Sequence, residues 1–233
     1  MVEIIPAILP KSLADLKAHL ERIRGVSRKV QIDLVGGGVF TWNRSWPYRD
    51  RASFTRMLTE EKELPYWTEF DIEVDLMVKG AKDIALTFVG LHAARAVVHA
   101  QLPGALEAAR ALSEYDDDGR PFSIGVGVAL SAHAALDELR PFHPLIDFVQ
   151  VMGIDHIGRQ GEPPDPHHHA TELVVQLRKR FPELTIQVDG GVSLKTARAL
   201  AKAGANRLVA GSAIFGSADP KTAYQALYTE ANG

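Results

Sequence analysis

The alternation of short β-rich runs with helical patterns is the feature that most restricts the fold of this chain. The β-rich runs cover about residues 3–9, 29–35, 69–78, 95–99, 122–129, 145–152, 184–188 and 206–210. Helical spacing lies between them, as in Leu13, Leu16, Leu20 and Ile23 and again in Leu173, Leu177 and Phe181. Eight strands that alternate with helices predict a closed (β/α)8 TIM barrel rather than an open doubly wound sheet. No linker rich in Gly, Pro or Ser divides residues 1–233, which we expect to form a single barrel domain.

Composition narrows the class of protein. Apolar residues make up 46% and charged residues 24%, which suits a sizeable core and argues against disorder. A formal net charge of −3 argues against a nucleic-acid partner, because general nucleic-acid binding needs a basic surface. No apolar run approaches the roughly 18 residues of a membrane span, and the N-terminus lacks a secretory signal pattern. The absence of cysteine excludes disulfides and thiolate ligands, and we expect a cytoplasmic protein with no membrane association.

The third run, FDIEVDLMV, carries acidic residues on one face. Side chains alternate along a strand, so its apolar residues share the face that should meet the helices: Phe70, Ile72, Val74, Leu76 and Val78. The opposite face points into the barrel and carries Asp71, Glu73, Asp75 and Met77. A fully apolar outer face and an acidic inner face indicate that polar groups are needed inside the barrel.

The same alternation turns polar groups of other strands inward. These are Gln31, Asp33 and Val35 in the second run, Thr185, Gln187 and Asp189 in the seventh, and His99, Gln150 and Met152 at the ends of the fourth and sixth. Asp33, Asp75 and Asp189 are therefore predicted to converge. An unpaired buried carboxylate costs about several kcal/mol, so the cluster predicts a bound cation or shared protons. The alternative is that each Asp only caps the helix after its strand.

Glycines follow the last two runs, in VDGGVS and LVAGSAIFG. Gly190, Gly191 and Gly211 let the backbone approach a ligand because no Cβ intervenes. A short helix starting near Ser212 would direct free N–H groups and its positive end at an anion. Phosphate sites after strands seven and eight recur in TIM barrels, so these residues predict phosphate binding.

Two long connections, residues 36–50 and 153–166, follow strands and should lie at the mouth where barrel active sites form. Gly158 of the second connection is expected to contact the substrate. His156 and Arg159 either clamp the phosphate or are exposed without a role. The triplet His167–His169 is interpreted as surface histidines, since consecutive residues point in different directions.

These motifs together resemble the ribulose-phosphate 3-epimerase family over nearly the whole chain. The matching segments are IIPAILPKSLADL, VQIDLVGGGVF, FDIEVDLMV, VVHAQ, GVGVAL, VQVMGIDHIGRQG, VDGGVS and VAGSAIFG. The resemblance implies a ribulose-phosphate-binding barrel in which Asp33 and Asp189 are the acid and base that move a proton on the sugar. It also implies that His99, Met77 and Met152 line the substrate site.

Two departures change the metal chemistry that the resemblance implies. The family binds a divalent metal, usually zinc, through a His and an Asp on strand two, a His on strand three and an Asp on strand seven. Here Gln31 and Asp75 stand where the two histidines are expected. Oxygen ligands from Gln31, Asp33, Asp75 and Asp189 favour Mg²⁺ or Mn²⁺ over Zn²⁺, and the sequence leaves open that no metal binds. Without a cation, the carboxylates should raise one another's pKa.

The functional expectation is an isomerase that inverts C3 of a ketose phosphate, a small-molecule sugar phosphate of carbohydrate metabolism such as a pentose phosphate. Two alternatives stay open. One is a divergent enzyme on another sugar phosphate, either a ketohexose-phosphate epimerase or a lyase. The other is a non-catalytic sugar-phosphate-binding protein, because two expected metal ligands are missing. A homo-oligomer is compatible with the sequence.

Overall fold

Eight parallel strands close into a barrel in the order in which they follow one another along the chain. The computed structural model describes residues 1–115, 124–164 and 167–233, so the first residues of the fifth predicted run and the end of the second long connection lie outside the described residues. The strands are β1 Glu3–Ile8, β2 Lys29–Val35, β3 Asp71–Met77, β4 Arg95–His99, β5 Gly125–Leu130, β6 Phe148–Met152, β7 Thr185–Asp189 and β8 Arg207–Ala210. The (β/α)8 barrel predicted from the alternation is confirmed.

Helices surround the barrel. They are α1 Leu13–Ile23, α2 Arg51–Thr59, α3 Ala81–Gly90, α4 Ala105–Ser113, α5 His169–Arg180, α6 Ala197–Ala203, α7 Ser212–Phe215 and α8 Pro220–Asn232. Helix α1 begins where the Ser12 side chain accepts a hydrogen bond from the Asp15 amide, and it buries Leu16, Leu20 and Ile23 against the barrel. The helical spacing seen in the sequence is thus the contact face of the helix. None of the helices in the described ranges could cross a bilayer.

The connection between β5 and β6 departs from the predicted strand-helix alternation. It forms two 3₁₀ turns, Leu136–Leu139 and His143–Leu145. Pro141 and Pro144 explain the difference, because proline supplies no backbone N–H and clashes with the preceding helical turn. A continuous α-helix therefore cannot form in this segment.

The apolar core has an outer and an inner layer. The outer layer lies between strands and helices. It includes the apolar residues in and next to β2, β3 and β7 that strand alternation predicted to face the helices: Phe70, Ile72, Val74, Leu76, Val78, Ile32, Leu34, Ile186 and Val188. The inner layer fills part of the barrel and includes Val35, Met77 and Met152. Both layers agree with the strand alternation, so the inward direction of the intervening polar residues is fixed by the packing of their neighbours.

Candidate active site

Asp33, Asp75 and Asp189 meet inside the barrel, close to the C-terminal ends of their strands. In the ladder between β2 and β3, Asp33 lies opposite Asp75, and Asp189 on β7 lies opposite Met152 on β6. One carboxylate oxygen from each aspartate lies within 4.8 Å of the other two. We call these three residues the acid cluster. Asp71, at the other end of β3, lies away from them in a surface ion pair with Arg28.

Gln31 lies directly beneath the acid cluster and is fully buried. Its Nε2 donates to Asp33 Oδ1 at 2.9 Å and to Asp189 Oδ2 at 2.8 Å. Its oxygen instead accepts from Gln187 Nε2 at 3.4 Å. The N–H groups of Gln31, not its oxygen, face the carboxylates, so Gln31 is a hydrogen-bond donor to the cluster. Its role as a metal ligand stays a prediction that this arrangement does not favour.

Asp75 is the most enclosed member of the cluster. His99 Nε2 lies 2.6 Å from Asp75 Oδ1, and Gln150 Nε2 donates to Asp75 Oδ2 at 2.9 Å. The side chains of Asp75 and His99 are both completely inaccessible to solvent, and the Phe40 ring packs against His99 with centroids 4.9 Å apart. His99 therefore lies behind Asp75 and is not on the pocket wall. Its contact with substrate stays a prediction.

The carboxyl groups of Asp33 and Asp189 resist ionisation. Burial raises the pKa of Asp33 to about 8, with a further upward contribution from the charge of Asp75, while the hydrogen bond from Gln31 acts in the opposite direction. Burial, followed by the charges of Asp33 and Asp75, raises the pKa of Asp189 well above its usual value. The upward direction expected from the sequence is thus present, and loss of hydration contributes more to it than mutual repulsion does.

A pocket of about 250 Å³ opens above the acid cluster. Asp33 and Asp189 line it, whereas Asp75 lies below its surface. The other predicted site residues on its wall are Met77, Met152, Gly158, Gly190, Gly191, Gly211 and Ser212. The pocket thus joins two reactive carboxyl groups, an apolar side wall and a glycine-lined rim in one cavity.

The glycine-lined rim allows close contact with the connection after β6. Gly190 and Gly191 have φ of 95° and 66°, a region that favours glycine. A Cβ on Gly191 would lie 2.7 Å from Pro164 Cα, and one on Gly211 would lie 2.6 Å from Gln160 Nε2. Helix α7 begins at Ser212 as predicted, but it has only four residues. Its free N–H groups, rather than a long helix dipole, are what it could offer an anion.

The connection after β6 covers the pocket, and we call residues 153–164 the β6 loop. Gln160 Nε2 donates to the Ala7 carbonyl at 3.3 Å, across the pocket mouth. Glu162 lies within 3.4 Å of His156 Nδ1 and 3.9 Å of Arg159 Nη1. Arg159 lines the pocket and His156 does not, so only one member of the predicted cationic pair faces the cavity.

Sequence reasoning overlooked Gln160 and Glu162. Both line the pocket, and the only signal for them was their place in a long connection after a strand. Their contacts with Ala7 and Arg159 depend on how the loop folds back, which no local spacing encodes. Gln150 was expected to point inward, but its hydrogen bond to Asp75 could not be read from the sequence.

The acid cluster suits a hard cation better than zinc. Its donors are all carboxylate oxygens, which is the donor set preferred by Mg²⁺ and Mn²⁺, and oxygens within 4.8 Å of one another can share one such ion. Imidazole does not contribute, because His99 Nε2 is directed at Asp75. The residues that fit a divalent cation are therefore Asp33, Asp75 and Asp189.

Comparisons with known proteins agree with this geometry. The model of the ribulose-phosphate 3 epimerase family matches residues 53–215. Ribulose-phosphate 3-epimerase of Schizosaccharomyces pombe is 39% identical over 102 residues, which cover 44% of this chain and 43% of that protein. The Bacillus subtilis ribulose-phosphate 3-epimerase is 26% identical over 229 residues, or 96% of both chains. The chain spans less than half the length of several curated relatives that it matches.

Solved structures show the same fold at low identity. The 3-hexulose-6-phosphate synthase of Salmonella typhimurium superimposes with a TM-score of 0.69 at 16% identity and covers 99% of both chains. KGPDC from Streptococcus mutans gives a TM-score of 0.70 at 14% identity, covering 99% of this chain and 97% of that one. At such identity the likeness concerns the barrel and not its chemistry.

Proposed function

Because the chain belongs to the ribulose-phosphate 3-epimerase family, we propose that it is an isomerase that inverts C3 of a ketose phosphate. The observation that carries the proposal is the pair Asp33 and Asp189, two carboxyl groups with raised pKa values on the floor of one pocket. Inversion at a carbon next to a carbonyl needs one group that removes a proton and another that returns it on the opposite face.

The raised pKa values suit both halves of this reaction. A carboxylate with a pKa of about 8 is a much stronger base than an ordinary one. Near that pH one carboxyl of the pair ionises while the other keeps its proton, since each charge disfavours the next. One aspartate then takes the C3 proton to give an enediolate, and the other protonates C3 from the opposite side. The reverse reaction exchanges their roles.

The substrate phosphate is proposed to bind at the glycine-lined rim, with Gly190, Gly191, Gly211 and Ser212 supplying backbone N–H groups. Arg159 on the β6 loop provides a positive charge on the same wall. Met77 and Met152 would pack against the carbon chain and keep water from the enediolate. This arrangement sets the sugar between the phosphate end and the two acids.

A divalent cation is part of the proposal only as a ligand of the acid cluster. Asp33, Asp75 and Asp189 would hold it, with Mg²⁺ or Mn²⁺ favoured over Zn²⁺ by the all-oxygen donors. When bound, such a cation would supply electrostatic stabilisation of the enediolate oxygens. The proton transfers themselves depend on Asp33 and Asp189.

Deuterium exchange tests the proposal directly. The protein is incubated with ribulose 5-phosphate in D₂O, with and without Mn²⁺, and loss of the C3 proton is followed by NMR. The wild type is expected to exchange C3–H. The variant that lacks the base for this substrate, either Asp33→Asn or Asp189→Asn, should slow exchange by about 100-fold or more, and both variants should slow formation of the C3 epimer by at least as much, the usual contribution of a general acid or base.

Asp71→Asn is the matched control, because it removes a carboxylate from β3 at the opposite end of the barrel, where Asp71 pairs with Arg28. It should leave exchange unchanged. Exchange that survives in both Asp33→Asn and Asp189→Asn would exclude these residues as the acid and base.

A second candidate is an epimerase of the same mechanism acting on another ketose phosphate. It is favoured by the β6 loop, in which Arg159, Gln160 and Glu162 place polar groups on the pocket wall. Repeating the exchange assay with ketohexose phosphates distinguishes the two substrates. Binding of sugar phosphates by the wild type without any exchange would instead indicate a sugar-phosphate-binding protein.

A further inference from the structure

Three glutamines form a layer across the barrel directly below the acid cluster. Gln31, Gln150 and Gln187 come from β2, β6 and β7, and each is fully buried. In the ladder between β6 and β7, Gln150 lies opposite Gln187. We call these three residues the amide layer. Gln187 links the other two amides by hydrogen bonds. Buried amides linked in this way have a defined arrangement of donors and acceptors, because each mispaired group loses a hydrogen bond.

Glu73 fixes the direction of the layer from below. Its carboxylate forms a buried ion pair with Arg95 Nε at 2.8 Å, and a carboxylate can only accept hydrogen bonds. Gln187 must therefore turn its Nε2 to Glu73, and it does so at 2.7 Å. Among the described residues, Gln187 Oε1 has no hydrogen-bond partner. Gln187 thus leaves its own oxygen unpaired in order to donate to Glu73, which is consistent with the Glu73 carboxylate determining the orientation of the Gln187 amide.

The orientation of Gln187 in turn determines the orientations of the Gln31 and Gln150 amides. Gln187 Nε2 also lies 2.7 Å from Gln150 Oε1 and 3.4 Å from Gln31 Oε1. With their oxygens facing Gln187, both amides present N–H groups upward. Gln31 Nε2 then donates to Asp33 and Asp189. Gln150 Nε2 donates to Asp75 at 2.9 Å and to Asp189 at 3.4 Å.

We propose that the amide layer positions Asp33 and Asp189 and takes over part of the charge compensation that a bound cation would otherwise supply. The inference deepens the proposed function, on which its kinetic part rests. Oriented N–H dipoles in an enclosed site stabilise negative charge without reorganising. The same N–H groups weaken cation binding, because Gln31 directs its hydrogens, and not its oxygen, between the carboxylates of Asp33 and Asp189.

Binding of Mn²⁺, measured by calorimetry and by electron paramagnetic resonance, tests the inference without reference to activity. Gln31→Glu replaces the donor with an oxygen ligand and should bind Mn²⁺ on the order of tenfold more tightly than the wild type. Gln160→Glu is the matched control. It adds the same charge at the pocket mouth, away from the floor, and should have much less effect. Equal affinities of all three proteins would overturn the charge-compensation part.

Gln31→Leu tests positioning without adding charge to the cluster. Gln31 does not line the pocket, so KM should change by less than about threefold while kcat falls about 10- to 100-fold, as for residues that orient a reactive group. Circular dichroism and urea unfolding establish that the variant is folded. An unchanged kcat would refute the positioning role.

The two proposals fail in distinguishable ways. If the wild type does not exchange the C3 proton of any ketose phosphate for deuterium, the proposed function is wrong. The Mn²⁺ comparison still decides the charge-compensation part in that case. If exchange occurs but neither Gln31 variant differs from the wild type, the amide layer is only structural and the proposed function stands.

Discussion

Asp33 and Asp75 occupy paired positions in neighbouring strands, yet their surroundings differ. Asp33 faces the pocket and receives one hydrogen bond from Gln31, whereas Asp75 is enclosed by His99 and Gln150. Strand alternation predicted that both point inward. It could not predict which one reaches a ligand, because that depends on side chains from β4 and β6, distant in sequence. At the scale of single residues, the strand pattern determines the direction of each side chain, and packing of distant side chains determines whether that side chain is accessible to a ligand.

The raised pKa of Asp33 predicts that stability falls as pH increases. The folded protein holds a proton to about pH 8, whereas the unfolded chain releases it near pH 4. Between these values the folded state binds more protons, so the free energy of unfolding should decrease with rising pH, by at most about 1.4 kcal/mol per pH unit for this group. Below pH 4 the stabilisation is fully present. Above pH 8 it is lost.

Urea unfolding at several pH values in a metal-free buffer measures this slope. Asp33→Asn should flatten the decline between pH 5 and 8, because an amide does not titrate. Asp71→Asn should keep it, since this residue lies at the surface in an ion pair. A decline equally steep in Asp33→Asn and the wild type would assign the pH dependence to other groups.

At the scale of elements, the β6 loop shows what a linear pattern can and cannot predict. Its length and its position after a strand predicted that it lies at the barrel mouth, and the loop does lie over the glycine-lined rim. Its internal pairing was not predictable. Glu162 engages both His156 and Arg159, and that depends on a turn whose shape arises only when the loop rests on the barrel.

The position of Glu162 leads to a prediction about substrate affinity. Its charge on the pocket wall competes with the substrate phosphate for Arg159 and repels the phosphate itself. Glu162→Gln should therefore lower KM for a ketose phosphate about two- to fivefold, in line with the small energies of exposed ion pairs. The effect should diminish at high salt, which screens both interactions. Steady-state kinetics at low and high ionic strength measures it.

Glu183→Gln provides the control for this change, since it removes the same charge from an exposed position preceding β7, at the opposite end of the barrel. Its KM should match that of the wild type. A higher KM in Glu162→Gln would mean that Glu162 holds the β6 loop in place for the substrate instead of competing with it.

For the whole molecule, the order of strands and the direction of their side chains followed from the sequence, because period-two alternation and connection lengths are local properties. The complementarity of volumes inside the barrel is not local. Gly127 on β5 faces the Phe148 ring from β6, and a Cβ at Gly127 would lie 2.4 Å from the Phe148 Cζ atom. A missing side chain on one strand thus makes room for a large one on its neighbour, and only the pairing of β5 with β6, in which Gly127 lies opposite Phe148, brings them together.

This fit predicts that Gly127→Ala destabilises the entire barrel. Phe148 is buried and cannot turn away without disturbing the inner layer, so the free energy of unfolding should fall by about 1–3 kcal/mol, as is usual for overpacking. Gly90→Ala is the control, because within the described part of the chain no atom outside its sequence neighbours and its own helix backbone lies within 4 Å of the added methyl group, and it should be neutral or slightly stabilising. Urea unfolding measures both.

Combining Gly127→Ala with Phe148→Leu should restore part of the lost stability relative to the sum of the single changes, since the smaller side chain admits the methyl group. Strict additivity of the two changes would show that the ring and the glycine do not share one space.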